Sequence, residues 1–349
     1  MIPVYFATNR NQQGPDDDPK FGDRFHVDGP QFYRVGRAEV SATGAAGDDA
    51  YRVDTVSLFR DDAGQLGSTQ AFARLRDAMI EDRRDALIYL HGFASDFSTC
   101  LQRAAQLSDA WTIAPADGGP PASPHVFAFS WPSNGKTVPA WEYFSDRDDA
   151  EASGKAMARA VLRLRDFLAR VRPCGQRTHL VAHSMGNFAL RWMVQGIRGL
   201  VGDDALKPFF DTIILAAADE DDDALERDDK LGLLPQIGRR LYVYHAGNDY
   251  ALQISDVTKH NPARLGVHGP RTFSFLNTRI TAIDCGQVSA TELAHGRHQY
   301  YRLRPEVIRD VRMVLAGNVP EALIPGRHTI EPGRRYALMP DRASDPNSD

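Results

Sequence analysis

Ser184 is the residue whose surroundings most clearly predict chemistry. It lies in the segment THLVAHSMGNFAL, residues 178–190, where a short apolar stretch runs into the serine and an amphipathic stretch follows it. A serine at a tight turn between a strand and a helix has its Oγ held clear of neighbouring groups, as a nucleophile requires. The usual motif has glycine two residues before and after the serine, and here those positions hold Ala182 and Gly186. Both residues are small, so the segment predicts a nucleophilic serine.

Two aspartates are candidates for the acid that such a serine needs. A serine hydroxyl becomes a useful nucleophile when a base takes its proton and a third group orients that base. In chains with this turn the order is serine, acid, histidine. Asp249 follows the stretch LYVYH and is the favoured acid, whereas Asp219 follows TIILAAA and stays open as the alternative. The acidic run 219–229 also suits the start of a helix, where carboxylates accept from free N–H groups.

The base is predicted in the segment AHGRHQYY, between the last predicted strand and the terminal helix. His298 is favoured because it lies closer to that helix, and His295 stays open as the alternative base. Two backbone N–H groups, of Met185 and of Phe93, are predicted to stabilise the oxyanion that forms on the attacked carbonyl. Four further residues are candidates for the surrounding pocket: His91, Gly92, Trp131 and Tyr143.

The elements that must position these residues alternate along the chain. Strands are predicted at 86–90, 126–131, 212–218, 241–245 and 279–285, with another running into Ser184, and helices at 69–84, 97–110, near 251–258 and at 305–315; an acidic helix is predicted after residue 218. Such alternation predicts the α/β class, with a mainly parallel, doubly wound sheet and helices on both faces.

The chain is predicted to hold one domain, residues 1–318. Within it, residues 1–60 provide a first strand at 3–8, a surface loop at 11–30 and strands at 37–41 and 51–59 that form an N-terminal antiparallel hairpin. Residues 319–349 are predicted to be a loosely packed C-terminal tail that is partly disordered.

Composition narrows the classes of partner. The 349 residues are 42% hydrophobic and 25% charged, and the net charge of −5 comes without a basic block, which argues against nucleic acid. No apolar run approaches the ~20 residues of a membrane-spanning helix and no signal pattern begins the chain, so a cytoplasmic location is expected. Cys100, Cys174 and Cys285 lack the paired spacing of a zinc site or disulfide framework. No metal or other cofactor is predicted.

The chain resembles the α/β-hydrolase superfamily and, within it, the bacterial DUF900 group. The resemblance rests on the segments YFATNR, IYLHGFASDF, FSWPSNG, LVAHSMGN, AAADEDDD, YHAGNDYAL and GRHQYY. It implies an α/β-hydrolase fold, an esterase or lipase, and the roles of nucleophile, acid and base for Ser184, Asp249 and His298. The family pattern Gly-His-x-Tyr differs here, because Arg297 stands between Gly296 and His298.

Together these observations predict a serine hydrolase that cleaves a small-molecule carboxylic ester through an acyl-enzyme intermediate. Two other interpretations remain open. One is a hydrolase-fold protein that binds a ligand without catalysis, and the other is an acyltransferase or thioesterase that uses the same three residues.

Overall fold

The structure, a computed structural model, describes residues 1–62, 64–115, 118–136, 141–170, 175–253, 263–292 and 295–341. The strands of these residues are β1 (Ile2–Thr8), β2 (Arg10–Gln12), β3 (Phe21–Phe25), β4 (Arg34–Ala42), β5 (Tyr51–Leu58), β6 (Ala86–Leu90), β7 (His125–Ser130), β8 (Thr178–His183), β9 (Phe210–Ala216), β10 (Gly238–His245), β11 (Ile280–Asp284), β12 (Arg327–Glu331) and β13 (Arg335–Leu338). The helices are α1 (Gly67–Asp82), α2 (Phe97–Ala110), α3 (Trp141–Arg170), α4 (Gly186–Val201), α5 (Leu234–Ile237), α6 (Leu265–His268), α7 (Gly286–Ser289), α8 (Tyr300–Leu303) and α9 (Pro305–Ala316).

Eleven of these strands form one sheet, in the order β12-β13-β11-β10-β9-β8-β6-β7-β1-β4-β5. The eight strands from β13 to β1 run parallel, and antiparallel pairs occur only towards the two edges. The central strands β6 and β8 are buried along their whole length, as expected for strands covered on both faces. One apolar core lies under α1, α3 and α4, and the other lies under α2 and α9. The predicted doubly wound sheet is confirmed.

The N-terminal region contains more strand than its sequence predicts. The expected hairpin is present, because β4 and β5 pair antiparallel. The segment predicted as a surface loop also contributes β2 and β3, which form a separate two-stranded sheet. Phe21 of β3 packs against Phe97 at a ring distance of 4.6 Å, and Phe97 packs against Phe6 of β1 at 5.1 Å. This aromatic contact attaches the segment to the main sheet.

The C-terminal region corrects the expectation of a loosely packed tail. Strands β12 and β13 extend the sheet beyond β11, and the side chain of Arg327 on β12 is fully buried. Its guanidinium donates to Asp310 of α9 at 2.5 and 2.9 Å and pairs with Glu321. An arginine and alternating polar residues resemble a surface segment in sequence, so this buried pairing was not predicted. Residues 342–349 lie outside the described part of the chain.

The acidic stretch after β9 also differs from its prediction, because no helix begins there. Residues 219–233 form turns and a 3₁₀ segment at Ala224–Glu226. The carboxylates pair with cations instead: Asp221 accepts from Lys230 at 2.9 Å and from Arg264 at 3.2 Å, and Asp222 pairs with Arg271 at 2.5 Å. Ion pairing therefore accommodates the acidic run.

Residues 250–253 are helical, and the rest of the helix predicted near 251–258 falls outside the described residues. Cys100 and Cys285 are buried thiols, while Cys174 lies outside the described residues. Within the described ranges, no helix combines the length and the apolar character that crossing a bilayer requires.

Candidate active site

Ser184 occupies the turn between β8 and α4 with a backbone φ of +53°, a conformation that costs a non-glycine residue energy. Small neighbours allow this turn. A Cβ on Gly186 would lie 2.5 Å from the carbonyl oxygen of Leu90, and a Cβ on Gly92 would lie 2.8 Å from the Cβ of Ser184. The tight turn at Ser184 therefore requires residues without a side chain at positions 92 and 186.

Asn187 holds the same turn from inside the protein. It is fully buried, and its side-chain amide donates to the carbonyl oxygens of Ala182 at 3.0 Å and Ser184 at 3.1 Å. The backbone N–H of Asp219 donates to the same Ser184 oxygen at 3.2 Å. Sequence reasoning assigned no role to Asn187. The available signal was an amide residue within the buried first turn of a helix.

His298 and Asp249 meet at the carboxyl end of the parallel strands. Asp249 follows β10, His298 precedes α8, and the His298 Nδ1 lies 2.7 Å from the Asp249 Oδ2. Asp249 is fully buried, and its other oxygen accepts from the backbone N–H of Leu252 at 3.1 Å. Since an ionised carboxylate only accepts, Nδ1 carries the proton and Nε2 is left with a lone pair.

Burial and the neighbouring charges shift the pKa of His298 in opposite directions. Burial lowers the pKa of this imidazole, but the carboxylates of Asp249 and, more weakly, Asp219 favour the protonated form, and the net pKa lies above the ordinary histidine value. His183 lies against it, with ring centroids 4.7 Å apart, and donates from Nε2 to the His298 carbonyl at 3.2 Å. Burial lowers the pKa of His183 well below its usual range, so it supports His298 as a neutral group.

The two alternative residues have other partners. The carboxylate of Asp219 accepts from the hydroxyl of Tyr143 at 2.5 Å and lies 3.7 Å from Nε of Arg264. His295 places Nδ1 3.2 Å from Glu292 and Nε2 3.2 Å from Asp48. Asp219 therefore affects His298 as a second, weaker charge that raises the pKa of its imidazole. Both ring nitrogens of His295, in contrast, have partners other than Asp249.

The loop after β6 is supported by His91 and Trp131. Both are fully buried, and their rings stack 4.7 Å apart with an interplanar angle of 8°. Trp131 donates its backbone N–H to Nε2 of His91 at 3.1 Å, so Nδ1 carries the ring proton and donates to the Gly92 carbonyl at 2.9 Å. Burial lowers the pKa of His91 well below its usual range, which keeps the ring neutral. Both residues therefore support the loop from inside the protein, where neither side chain is exposed to solvent.

Tyr143 and Phe93 are both half-buried near the loop that follows β6. The two rings contact at 5.5 Å, and Tyr143 also reaches Asp219, so it links the loop to the end of β9. Among the described residues, neither the Phe93 N–H nor the Met185 N–H donates a hydrogen bond within the protein. Met185 directly precedes the first turn of α4, where free N–H groups and the helix dipole favour negative charge.

Other features of the described residues lie apart from these side chains. No three histidine, cysteine, aspartate or glutamate side chains in the described ranges are grouped as metal ligands. A groove of about 480 Å³ lies between β4, β5 and α1, where Arg37, Thr55 and Gln70 contribute to its wall. It contains none of the residues discussed above.

Comparison with known protein families identifies the fold. The family described as "Alpha/beta hydrolase of unknown function (DUF900)" matches residues 68–317. This range contains Ser184, Asp249 and His298, and it leaves out β1–β5 and the β12–β13 hairpin. Together with the sheet order it confirms the expected α/β-hydrolase fold. A comparison with curated proteins gives no match.

Proposed function

We propose a serine hydrolase function for this chain, which belongs to the family of alpha/beta hydrolases of unknown function. The substrate class is a small-molecule carboxylic ester. Ser184 is the nucleophile, His298 the general base and Asp249 the acid that orients it. The proposal rests above all on the 2.7 Å hydrogen bond between Nδ1 of His298 and the buried Asp249 carboxylate. That bond leaves Nε2 as the nitrogen able to accept a proton.

The reaction follows from these assignments in two halves. The Ser184 Oγ attacks the ester carbonyl while Nε2 of His298 takes its proton, and the tetrahedral oxyanion accepts from the N–H groups of Met185 and Phe93. His298 then returns the proton to the leaving alcohol, which leaves an acyl-enzyme. A water molecule, deprotonated by the same Nε2, attacks the acyl group; His298 protonates Ser184 and the carboxylic acid is released. The chemistry requires no cofactor.

Covalent labelling tests the nucleophile directly. A fluorophosphonate probe should label one serine per chain, and peptide mapping should locate the label at Ser184. The Ser184→Ala variant should lose the label and lower the turnover of a short-chain 4-nitrophenyl ester by about 10⁴-fold or more, while its circular dichroism spectrum stays unchanged. Ser57→Ala, at a serine of β5 whose hydroxyl donates to the backbone carbonyl of Arg37, is the matched control and should keep both properties.

The same assay separates the other two functions. An unlabelled protein whose ester turnover is unaffected by Ser184→Ala would refute the assignment and favour a binding role. Addition of short alcohols would reveal acyl transfer, because transesterified product would then replace the free acid. We expect the free acid to predominate.

A further inference from the structure

Arg10 is a buried cation whose hydrogen-bond acceptors in the described structure are all neutral oxygens. It is 1% exposed, and its guanidinium donates to the hydroxyl of Ser130 at 2.8 Å and to the carbonyls of Gly22 at 3.0 Å, Ser133 at 2.8 Å and Ser95 at 2.8 Å. Burial lowers the pKa of Arg10 to about 10, so the side chain is still charged at neutral pH. Burying a charge is costly unless its hydrogen bonds are satisfied, and four well-made bonds offset that cost here.

Asp146 of α3 binds backbone and side-chain donors next to the groups that Arg10 contacts. Its buried carboxylate accepts from the backbone N–H groups of Ala94 at 3.4 Å and Asn134 at 3.2 Å and from the hydroxyl of Ser133. That hydroxyl in turn accepts from the N–H of Ser95 at 3.0 Å. Burial raises the pKa of Asp146 to about 6, so the carboxylate is mainly ionised at neutral pH.

Both groups converge on residues 91–96, which we name the oxyanion loop because it carries Phe93. Directly after Phe93, Ala94 has a φ of +53°, a strained conformation for a residue with a Cβ. Such strain persists only where surrounding contacts over-determine the backbone. Here the N–H of Ala94 is held by Asp146 and the carbonyl of Ser95 is held by Arg10.

We propose that Arg10 and Asp146 are positioning residues that hold the Phe93 N–H in register with the oxyanion formed at Ser184. This inference rests on the proposed function. Removal of one oxyanion donor typically lowers kcat by about 10²–10³-fold, and a displacement of ~1 Å lowers the rate by about 10²-fold. Arg10 precedes residue 68, so a segment outside the family match supplies part of the catalytic support.

Arg10→Lys is the test variant, because it keeps a positive charge but its single ammonium cannot span four acceptors. We expect kcat per labelled Ser184 to fall by about 10–10²-fold. The KM should stay within about threefold and the acid limb of the pH profile should not move, because His298 and Asp249 are untouched. Affinity for a boronic acid, which mimics the tetrahedral state, should fall by the same factor as kcat.

The matched control is Arg327→Lys on β12. Arg327 is equally buried and makes several charge-assisted hydrogen bonds, but to Asp310 and Glu321, which lie outside the site. The thermal midpoint of the Arg327→Lys variant should fall, while its kcat per labelled Ser184 stays unchanged. Asp146→Asn is the second test variant if Arg10→Lys does not fold. In this variant the amide NH₂ would face the backbone N–H of Ala94 or of Asn134, each of which donates to the carboxylate in the parent. Because two donors cannot bond to each other, kcat should fall by about 10-fold or more at constant KM.

The outcomes separate this inference from the proposed function. If the parent enzyme is labelled and active but Arg10→Lys and Asp146→Asn keep its kcat within twofold, or change KM alone, the positioning role is overturned and the hydrolase function stands. If fluorophosphonate does not label Ser184 in the parent, the proposed function fails and this inference fails with it.

Discussion

Replacing Asp249 by asparagine is predicted to trap His298 in the wrong tautomer. One oxygen of Asp249 accepts from the Leu252 N–H and the other from Nδ1 of His298. An asparagine that keeps the Leu252 bond through its carbonyl oxygen turns its NH₂ group towards Nδ1. Nδ1 must then accept, Nε2 carries the proton, and the ring is no longer able to take the proton of Ser184. We expect kcat to fall by about 10⁴-fold, which corresponds to about 5 kcal/mol of transition-state stabilisation.

The pH profile supplies a second, independent readout. The base must be neutral, so kcat/KM of the parent should rise with pH through a pKa above the ordinary value of about 6.5, because Asp249 and Asp219 outweigh the effect of burial on His298. In Asp249→Asn the main opposing carboxylate is lost, the pKa of His298 falls, and the acid limb should move to lower pH. Asp219→Asn should move it in the same direction but by less, with a loss of kcat of about tenfold at most.

The assay is steady-state hydrolysis of a 4-nitrophenyl ester between pH 5 and 9, with active enzyme counted by fluorophosphonate labelling. Asp229→Asn, at an exposed residue paired with Arg227, is the control for removal of one acidic charge and should leave the profile unchanged. The reasoning is refuted if Asp249→Asn keeps kcat within tenfold of the parent. It is also refuted if Asp219→Asn causes the larger loss.

Two further predictions concern packing and stability. Gly92→Ala should lower kcat by about 10²-fold in the ester assay, because the new Cβ would lie 2.8 Å from the Cβ of Ser184. Gly199→Ala on α4 is the control and should leave turnover in the same assay unchanged, because its Cβ would have no neighbour within 4 Å apart from its own helix backbone and the adjacent residues. Arg327→Met should cost about 3–5 kcal/mol by leaving a buried carboxylate partner unpaired, which is roughly 4–7 °C in the thermal midpoint of a chain of this length. Calorimetry checks this, with the exposed Arg335→Met as control, and equal midpoints for the two variants would contradict it.

Elements whose residues interact locally could be predicted closely from the sequence. The strand Ala86–Leu90 and the helix Phe97–Ala110 have the expected bounds. A continuous apolar run determines the strand, and a side-chain cap determines the start of the helix, because Asp96 accepts from the N–H of Thr99 at 2.7 Å. The small residues around Ser184 likewise indicated a strand-to-helix turn.

Polar residues were harder to interpret, because their surroundings are set by distant parts of the chain. In its sequence context Arg327 resembles a surface residue, yet in the structure its side chain is fully buried and donates to Asp310. The acidic stretch after β9 has the composition of a helix start. In the structure its carboxylates instead pair with the cations of residues 230, 264 and 271. Ion pairing between remote residues leaves no periodic signal in sequence.

The sequence by itself determined the alternation of strands and helices and the order of the candidate serine, acids and histidines. Both follow from local patterns of residues that are close together in the chain. Only the tertiary structure decided which carboxylate bonds to His298, because that bond joins residues 49 positions apart across the edge of the sheet. It also decided that Arg10 reaches the Ser95 carbonyl, 85 positions away. Parallel strand pairing creates these contacts, and the register that brings the atoms together exists only in the assembled sheet.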